Sequence, residues 1–351
     1  MKQYMQDSVK EKKKDKAWCA CLLCGNKATY KVIQKSYQAP DLFSIYHCQN
    51  CNTAFSMPRV SADAIYELIY KNIDKVRSYD RYYNYQHGVL KSMSPLKYLA
   101  NAEPSYWGPI NAILNILKLD HTAKILEVGS GLGYFTYALR KEGYNAYGLD
   151  ISKESTHIAK INYGNYYLCE DLFKYAETHS ESYDVLIMTE VIEHINEPKS
   201  FIQASKCMIK KGGSIIITTP NKSFYSKNVA WFSDAPPVHC WWFSEDSMKY
   251  IAKLYDMKIH FIDFKDFYRN YLQIFKVKNI DSDGCFVFDK EGNVIKTDII
   301  QNDKYFFIPQ YVRRNKIFKV IKNVIIKSIL PQRYKFGGTQ TYVMCVILTK
   351  Y

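Results

Sequence analysis

Three groups of residues in this chain have the types and spacing to do chemistry. Cys21-x-x-Cys24 and, after twenty-three residues, Cys48-x-x-Cys51 each offer two thiolates from a tight turn. Four sulfurs so spaced can close a tetrahedron around zinc with no position left for substrate, so the expected ion is structural. Cys19 is a spare sulfur, but Cys19 with Cys24 makes a poorer knuckle. The second group is Glu127-x-Gly129-x-Gly131-x-Gly133, with Asp150 nineteen residues after Gly131. Glycines there let backbone approach a ligand, and a carboxylate in that register can accept both hydroxyls of a ribose. The third group is Glu190-x-x-Glu193-His194, with His239 in a later loop. A helical turn starting at Glu190 would put Glu190, Glu193 and His194 at i, i+3 and i+4 on one face. Two carboxylates and two imidazoles suit a divalent ion such as Mg or Mn that binds and acidifies a hydroxyl. Without an ion, Glu193, His194 and His239 remain candidate proton acceptors.

The elements that must position these groups read as an α/β pattern. Lys124–Val128 is a short apolar run expected to be a buried strand, and Tyr134–Glu142 has helical spacing. Asn145–Asp150, Tyr166–Leu168, Tyr183–Thr189 and Gly212–Asn221 supply further strands, with a helix over Lys199–Lys210. Met257–Phe264 is a sixth strand and Thr341–Thr349 a seventh. The dinucleotide fingerprint needs a third glycine where this chain has Tyr134, which weakens a nicotinamide reading.

The acidic-x-Gly-x-Gly-x-Gly run, followed by Asp150 and then Asp171-Leu172, resembles class I methyltransferases that use S-adenosyl-L-methionine (SAM). The resemblance covers about half the chain. It implies a seven-stranded Rossmann-like sheet with an antiparallel last strand. It also implies SAM contacts from Glu127, Gly129, Gly131, Gly133, Asp150, Asp171 and Leu172. Glu127 would lie near the ammonium and Asp171 near the adenine amino group. Glu190-x-x-Glu193-His194 resembles the metal site of ubiquinone-pathway O-methyltransferases and of small-RNA terminal 2′-O-methyltransferases. Other small-molecule methyltransferases carry a Glu-His pair here without metal. Zinc-ribbon methyltransferases of this layout are similar to enzymes of surface-polysaccharide and natural-product pathways, which implies O-methylation of a small-molecule or sugar hydroxyl. Two alternatives stand beside it. One is RNA 2′-O-methylation, since some ribosomal-RNA methyltransferases also carry an N-terminal ribbon; the other is an inactive methyltransferase-fold binding protein.

The expected domain order is a basic tail over 1–17, a zinc ribbon over 18–58 and a helical, tyrosine-rich connector over 59–104. The SAM-binding core follows over 105–264, then an insertion over 265–338 and the last strand over 339–351. Tyrosines and arginines between Arg77 and His87 either line a substrate mouth or pack ribbon against core. The loop Trp231–Glu245, with Pro236-Pro237 and several aromatics, leaves the carboxyl end of the sheet and is expected to shape an acceptor pocket. In the insertion, Cys285–Ile295 reads as a hairpin. The stripe of Ile317, Val320, Ile321, Val324, Ile325 and Ile329 within 316–330 either covers the domain or touches an anionic membrane surface.

The 351 residues carry a formal charge of +14, concentrated at Lys10–Lys16 and Arg313–Lys335. Such runs suit nucleic acid, and they also occur as solvated tails. No secretory pattern and no apolar stretch of roughly 20 residues is present, so a cytoplasmic chain without a transmembrane segment is expected.

Overall fold

The two cysteine knuckles sit at the ends of a hairpin. In a computed structural model, which describes residues 17–73, 75–76, 79–224, 235–274, 286–295, 304–307 and 341–351, the N-terminal strands are β1 (Trp18–Ala20), β2 (Lys27–Lys35), β3 (Leu42–Cys48) and β4 (Ala54–Met57). β2 and β3 pair antiparallel through the stretch that joins the two knuckles. The connector then folds as α1 (Asp63–Lys71), α2 (Asp80–Lys91) and α3 (Pro95–Ala102). α4 (Pro104–Asn111) continues into a wider turn over Ala112–Ile116.

The alternating part follows. It runs β5 (Lys124–Val128), α5 (Tyr134–Lys141), β6 (Asn145–Asp150), α6 (Lys153–Tyr163), β7 (Tyr167–Cys169), α7 (Leu172–Thr178), β8 (Tyr183–Thr189), α8 (Pro198–Met208) and β9 (Ile209–Pro220). Each helix start has a local cause. Ser152 accepts from the Ser155 amide at α6, Asp171 accepts from the Phe173 and Lys174 amides at α7, and Pro198 opens α8. After β10 (Trp241–Trp242), Ser244 and Ser247 form a reciprocal cap at α9 (Glu245–Leu254). β11 (Met257–Phe261) stops three residues short of the expected end. α10 (Lys265–Asn270), β12 (Tyr271–Ile274), β13 (Lys304–Phe307) and β14 (Val343–Lys350) complete the described elements.

The large sheet has the order β11-β14-β9-β8-β5-β6-β7. β14 runs antiparallel to both neighbours, whereas β5, β6, β7, β8 and β9 are mutually parallel. This is the expected seven-stranded α/β sheet with a reversed last strand inserted beside β9. β5 and β8 lie side by side at its centre, so the loops after both strands leave at the same carboxyl end. One face packs on α4, the wider turn after it and α5 through Ile110, Ile113, Ile125, Phe135 and Val185. The other face shares a continuous apolar cluster with the ribbon, in which Leu23 and Phe55 join Leu186, Ile215 and Trp241.

A second sheet was not legible as such. β10 adds to the ribbon in the order β1-β2-β3-β4-β10, with Trp241 opposite Phe55 and Trp242 opposite Ala54. In the insertion, Phe288 bridges Val294 within the expected hairpin and also bridges Gln38 of the ribbon loop. The apolar stripe over 316–330, the tail over 1–16 and the start of the aromatic loop at Trp231 lie outside the described residues.

The fold depends on close approach at the start of α5. Gly133 has φ +80°, and a Cβ there would lie 2.6 Å from both the Ala159 Cβ and the Tyr167 ring. Gly133→Ala therefore combines a strained backbone with overpacking and should lower the unfolding free energy by about 2–4 kcal/mol in urea titrations. A loss below about 0.5 kcal/mol would show that α6 and β7 yield freely.

Candidate active site

β5 ends in a turn built from bare backbone. The Gly129 and Ser130 amides donate to the Leu149 carbonyl at 2.8 and 3.2 Å, which fastens the turn to the end of β6. Asp150, the last residue of β6, accepts from the Gly131 amide at 2.7 Å through Oδ2 and from the Ser152 amide at 2.8 Å through Oδ1. The nineteen-residue register seen in the sequence is thus closed by a hydrogen bond. A Cβ on Gly131 would meet nothing within 4 Å, so the turn borders open space beside that carboxylate. Burial raises the Asp150 carboxyl above its usual range. Glu127 lies below the turn and is 4% exposed. Its Oε2 accepts from the Thr136 amide at 2.8 Å and the Thr136 hydroxyl at 2.5 Å. Burial pushes Glu127 up to about 8 against the pull of those two donors, with the Asp150 charge adding to the rise.

Tyr134 does not block this space. Its ring turns into an aromatic cluster with Tyr85 and Tyr106, and its hydroxyl pairs with that of Tyr106. Asp171 uses Oδ1 as the α7 cap, and Leu172 is buried behind it.

The second group forms after β8. A short 3-10 turn over Ile192–His194 brings Glu193 and His194 together, and His239 arrives from the loop before β10. Ligand atoms of these three side chains lie within 4.8 Å of one another, so they can hold a metal ion. His194 Nδ1 lies 2.7 Å from the Val238 carbonyl, which only accepts, so Nδ1 carries the proton. In the neutral imidazole, Nε2 then carries the lone pair that a base or a ligand requires. The His194 and His239 rings meet edge to face at 4.3 Å, and Tyr66 of α1 stands edge-on to His194. Burial, and secondarily the Arg81 charge, lowers His239 to about 3.

Glu190 does not join this group, contrary to the helical spacing. It takes a left-handed backbone at φ +55° directly after the strand, so no helix runs from Glu190 to His194. Its carboxylate turns instead to α2, where Oε2 accepts from Arg81 Nη2 at 3.1 Å and from the Tyr82 hydroxyl at 3.2 Å. Arg81 also faces Glu103 at 3.7 Å. In the sequence, Arg81 and Tyr82 stand out only as part of a tyrosine-rich run. The described part of the aromatic loop does not form the expected pocket wall. Trp241, Trp242 and Phe243 are buried, with Trp241 stacked on Phe243 and tilted against Phe55. They pack ribbon to core, and among the described loop residues His239 turns toward Glu193 and His194.

The four cysteines converge as the spacing required. Cys21 Sγ is 3.6 Å from Cys51 Sγ, and Cys24 Sγ is 3.5 Å from Cys48 Sγ. All four sulfurs lie within 4.8 Å of one another. Asn26 and Asn50 side-chain amides approach Cys24 Sγ at 3.6 Å. Burial alone would raise Cys24, but the Asn26 donors and neighbouring thiols bring it to about 6. Cys51 is raised, first by the Cys21 sulfur and then by burial.

Residues 103–260 match a family described as a methyltransferase domain. The ubiquinone biosynthesis O-methyltransferase of Hydrogenovibrio crunogenus is 34% identical over 117 residues, covering 31% of this chain and 47% of that protein. The enzyme of the same name from Pectobacterium atrosepticum is 31% identical over 105 residues, covering 28% of this chain and 44% of its own length. The chain thus spans under half the length of these curated relatives. A solved SAM-dependent methyltransferase from Archaeoglobus fulgidus overlays with a TM-score of 0.38 at 17% identity, covering 69% of this chain and 93% of that one. The sheet order is that of the expected seven-stranded α/β fold, and the matched residues span its strands β5 to β9 and most of β11. Among the described residues no helix is long and apolar enough to cross a membrane.

The neutral, buried His239 has a measurable consequence. Its proton affinity is lower in the fold than in the unfolded chain, so its stabilising contribution is complete above about pH 6.5 and is lost as pH falls toward 3. Over that window it should steepen the loss of stability by up to about 1.4 kcal/mol per pH unit. Urea unfolding of the native chain and His239→Gln at several pH values reads the difference. Parallel curves for the two proteins would contradict a neutral buried imidazole.

Proposed function

We propose that this chain is a SAM-dependent O-methyltransferase acting on a hydroxyl of a small molecule or sugar. The observation that carries the proposal is the open space beside Gly131, bounded by Asp150, at the same end of the sheet as Glu193, His194 and His239. When bound, SAM supplies an electrophilic methyl group on a sulfonium. The protein's part is then to hold an acceptor oxygen in line with that methyl and to take its proton. In this reading Asp150 receives the ribose hydroxyls, and Glu127 faces the ammonium group. Asp171 keeps Oδ2 outside its helix cap for the adenine edge. Gly129, Gly131 and Gly133 keep the turn bare, and Leu172 backs it.

The Glu193–His194–His239 donor set, one carboxylate and two imidazoles, fits a divalent ion such as Mg or Mn that would lower the acceptor hydroxyl's proton affinity. His194 Nε2 is otherwise placed to take the proton itself. The relatives' name, ubiquinone biosynthesis O-methyltransferase, supports a small-molecule acceptor. The ribbon sulfurs fit structural zinc. A tetrahedral site with Zn–S near 2.3 Å separates its sulfurs by about 3.8 Å, close to the 3.5 and 3.6 Å seen here.

Calorimetric titration with SAM tests the cofactor assignment. Glu127, at about 8, is largely protonated at pH 7, and a cation beside it favours the carboxylate. Binding should release a proton, visible as a buffer-dependent enthalpy, and affinity should rise with pH up to about 8. Glu127→Gln should abolish the release; heats of binding identical in all buffers for the native chain would contradict the assignment. Methyl transfer to a catechol and to a free hexose, used as model hydroxyl acceptors, tests the reaction. Chelation should lower turnover and Mg or Mn restore it. Undiminished turnover in chelator, with the ribbon metal retained, would leave proton removal to His194 alone.

A further inference from the structure

His239 comes from a loop whose backbone is held by two different parts of the molecule. On one side the ribbon holds it: the Tyr37 amide donates to the Pro236 carbonyl at 3.0 Å, and the Ser56 amide to the Cys240 carbonyl at 3.1 Å. β10 begins at the next residue and pairs with β4. On the other side the turn after β8 holds it: the Cys240 amide donates to the Glu193 carbonyl at 2.9 Å, and His194 Nδ1–H to the Val238 carbonyl at 2.7 Å.

One side chain spans both. Arg59, two residues past the end of β4, sends Nη1 to the Cys240 carbonyl at 3.1 Å. Its Nη2 donates to the Asn196 carbonyl at 2.8 Å and the Ile195 carbonyl at 3.3 Å. The guanidinium lies over the Trp241 ring at 4.9 Å, and Trp241 Nε1 donates to the same Ile195 carbonyl at 2.8 Å. A planar guanidinium can meet three carbonyls and an indole face at once; a lysine ammonium cannot reproduce that fork. Carbonyls 195 and 196 end the turn that carries Glu193 and His194, and carbonyl 240 follows His239.

We infer that Arg59 is a positioning residue for the reactive cluster, and that through Arg59 and the β4–β10 pairing the cysteine ribbon is a working part of the active site. The inference rests on the reading of Glu193, His194 and His239 as that cluster. Arg59 touches none of the reacting groups. It fixes the distance between the two loops that carry them, and with it the Val238 carbonyl that sets the His194 tautomer.

The test uses the full chain labelled with 15N-histidine, its imidazole signals assigned with His194→Gln and His239→Gln. In the native protein His194 should show the Nδ1–H pattern. Arg59→Ala should shift that pattern toward the Nε2–H form and reduce methyl transfer to the catechol probe on the order of 100-fold, with SAM affinity by calorimetry unchanged. Arg59→Lys should fall between the two, and it serves as the test if the alanine variant does not fold. Imidazole signals and turnover unchanged in either folded variant would overturn the inference. A native chain that transfers no methyl group, but whose histidine signals still respond to Arg59→Ala, would refute the proposed reaction and leave the clamp standing.

Discussion

Val191 lies so close to Gly129 that a methyl group on the glycine would come within 2.5 Å of it. This contact joins the turn after β5 to the turn after β8, and the rest of the site depends on it. Val191 stands two residues before Glu193, so the gap between the bare glycine turn and the Glu193–His194 pair is fixed by van der Waals contact. Close-packed groups of this kind transmit position because they have little room to yield. The central pairing of β5 with β8 brings the two turns together, and the absence of a side chain on Gly129 lets them touch.

The same economy links the ribbon to the sheet. A four-cysteine hairpin is often regarded as an appended module, but here Leu23 and Phe55 pack in one cluster with Leu186, Ile215 and Trp241 of the core. Cys51 is tied to α9 through Ser247, whose hydroxyl donates to the Cys51 carbonyl at 3.1 Å and accepts from Thr53 at 2.7 Å. β10 is only two residues long, yet it carries the ribbon's sheet to within two residues of His239. The connector closes another side. α1 brings Tyr66 to His194, and α2 brings Arg81 and Tyr82 to Glu190. The connector thus both packs the interior and borders the Glu193–His194–His239 cluster.

Much of the sheet was legible because its signals are local. Apolar strand runs, the spacing of Gly131 to Asp150 and the paired cysteines each depend on few residues, and each appears near its expected place. The misreadings arose where one local geometry was extended too far. The spacing of Glu190, Glu193 and His194 implies a shared face only if a helix starts at the strand end, and the left-handed step at Glu190 breaks that condition. The aromatic loop looked like a pocket wall because tryptophans at the carboxyl end of a sheet suit ligands. Its partner strand, Ala54–Met57, lies almost two hundred residues earlier, and nothing local announces that pairing. Arg59 was invisible for the same reason, since its three carbonyl partners are all distant in the chain.

We propose that the open space beside Gly131 and Asp150 receives the cofactor, and that the acceptor lies between it and the Glu193–His194–His239 cluster. Crystals grown with S-adenosylhomocysteine and Mn²⁺, measured at the manganese absorption edge, test it most directly. The account predicts ribose hydroxyls on Asp150, the ligand sulfur facing the His194–His239 side, and a single anomalous peak among Glu193, His194 and His239. A nucleoside bound elsewhere, or one on Asp150 with its sulfur turned away from that cluster, would contradict it.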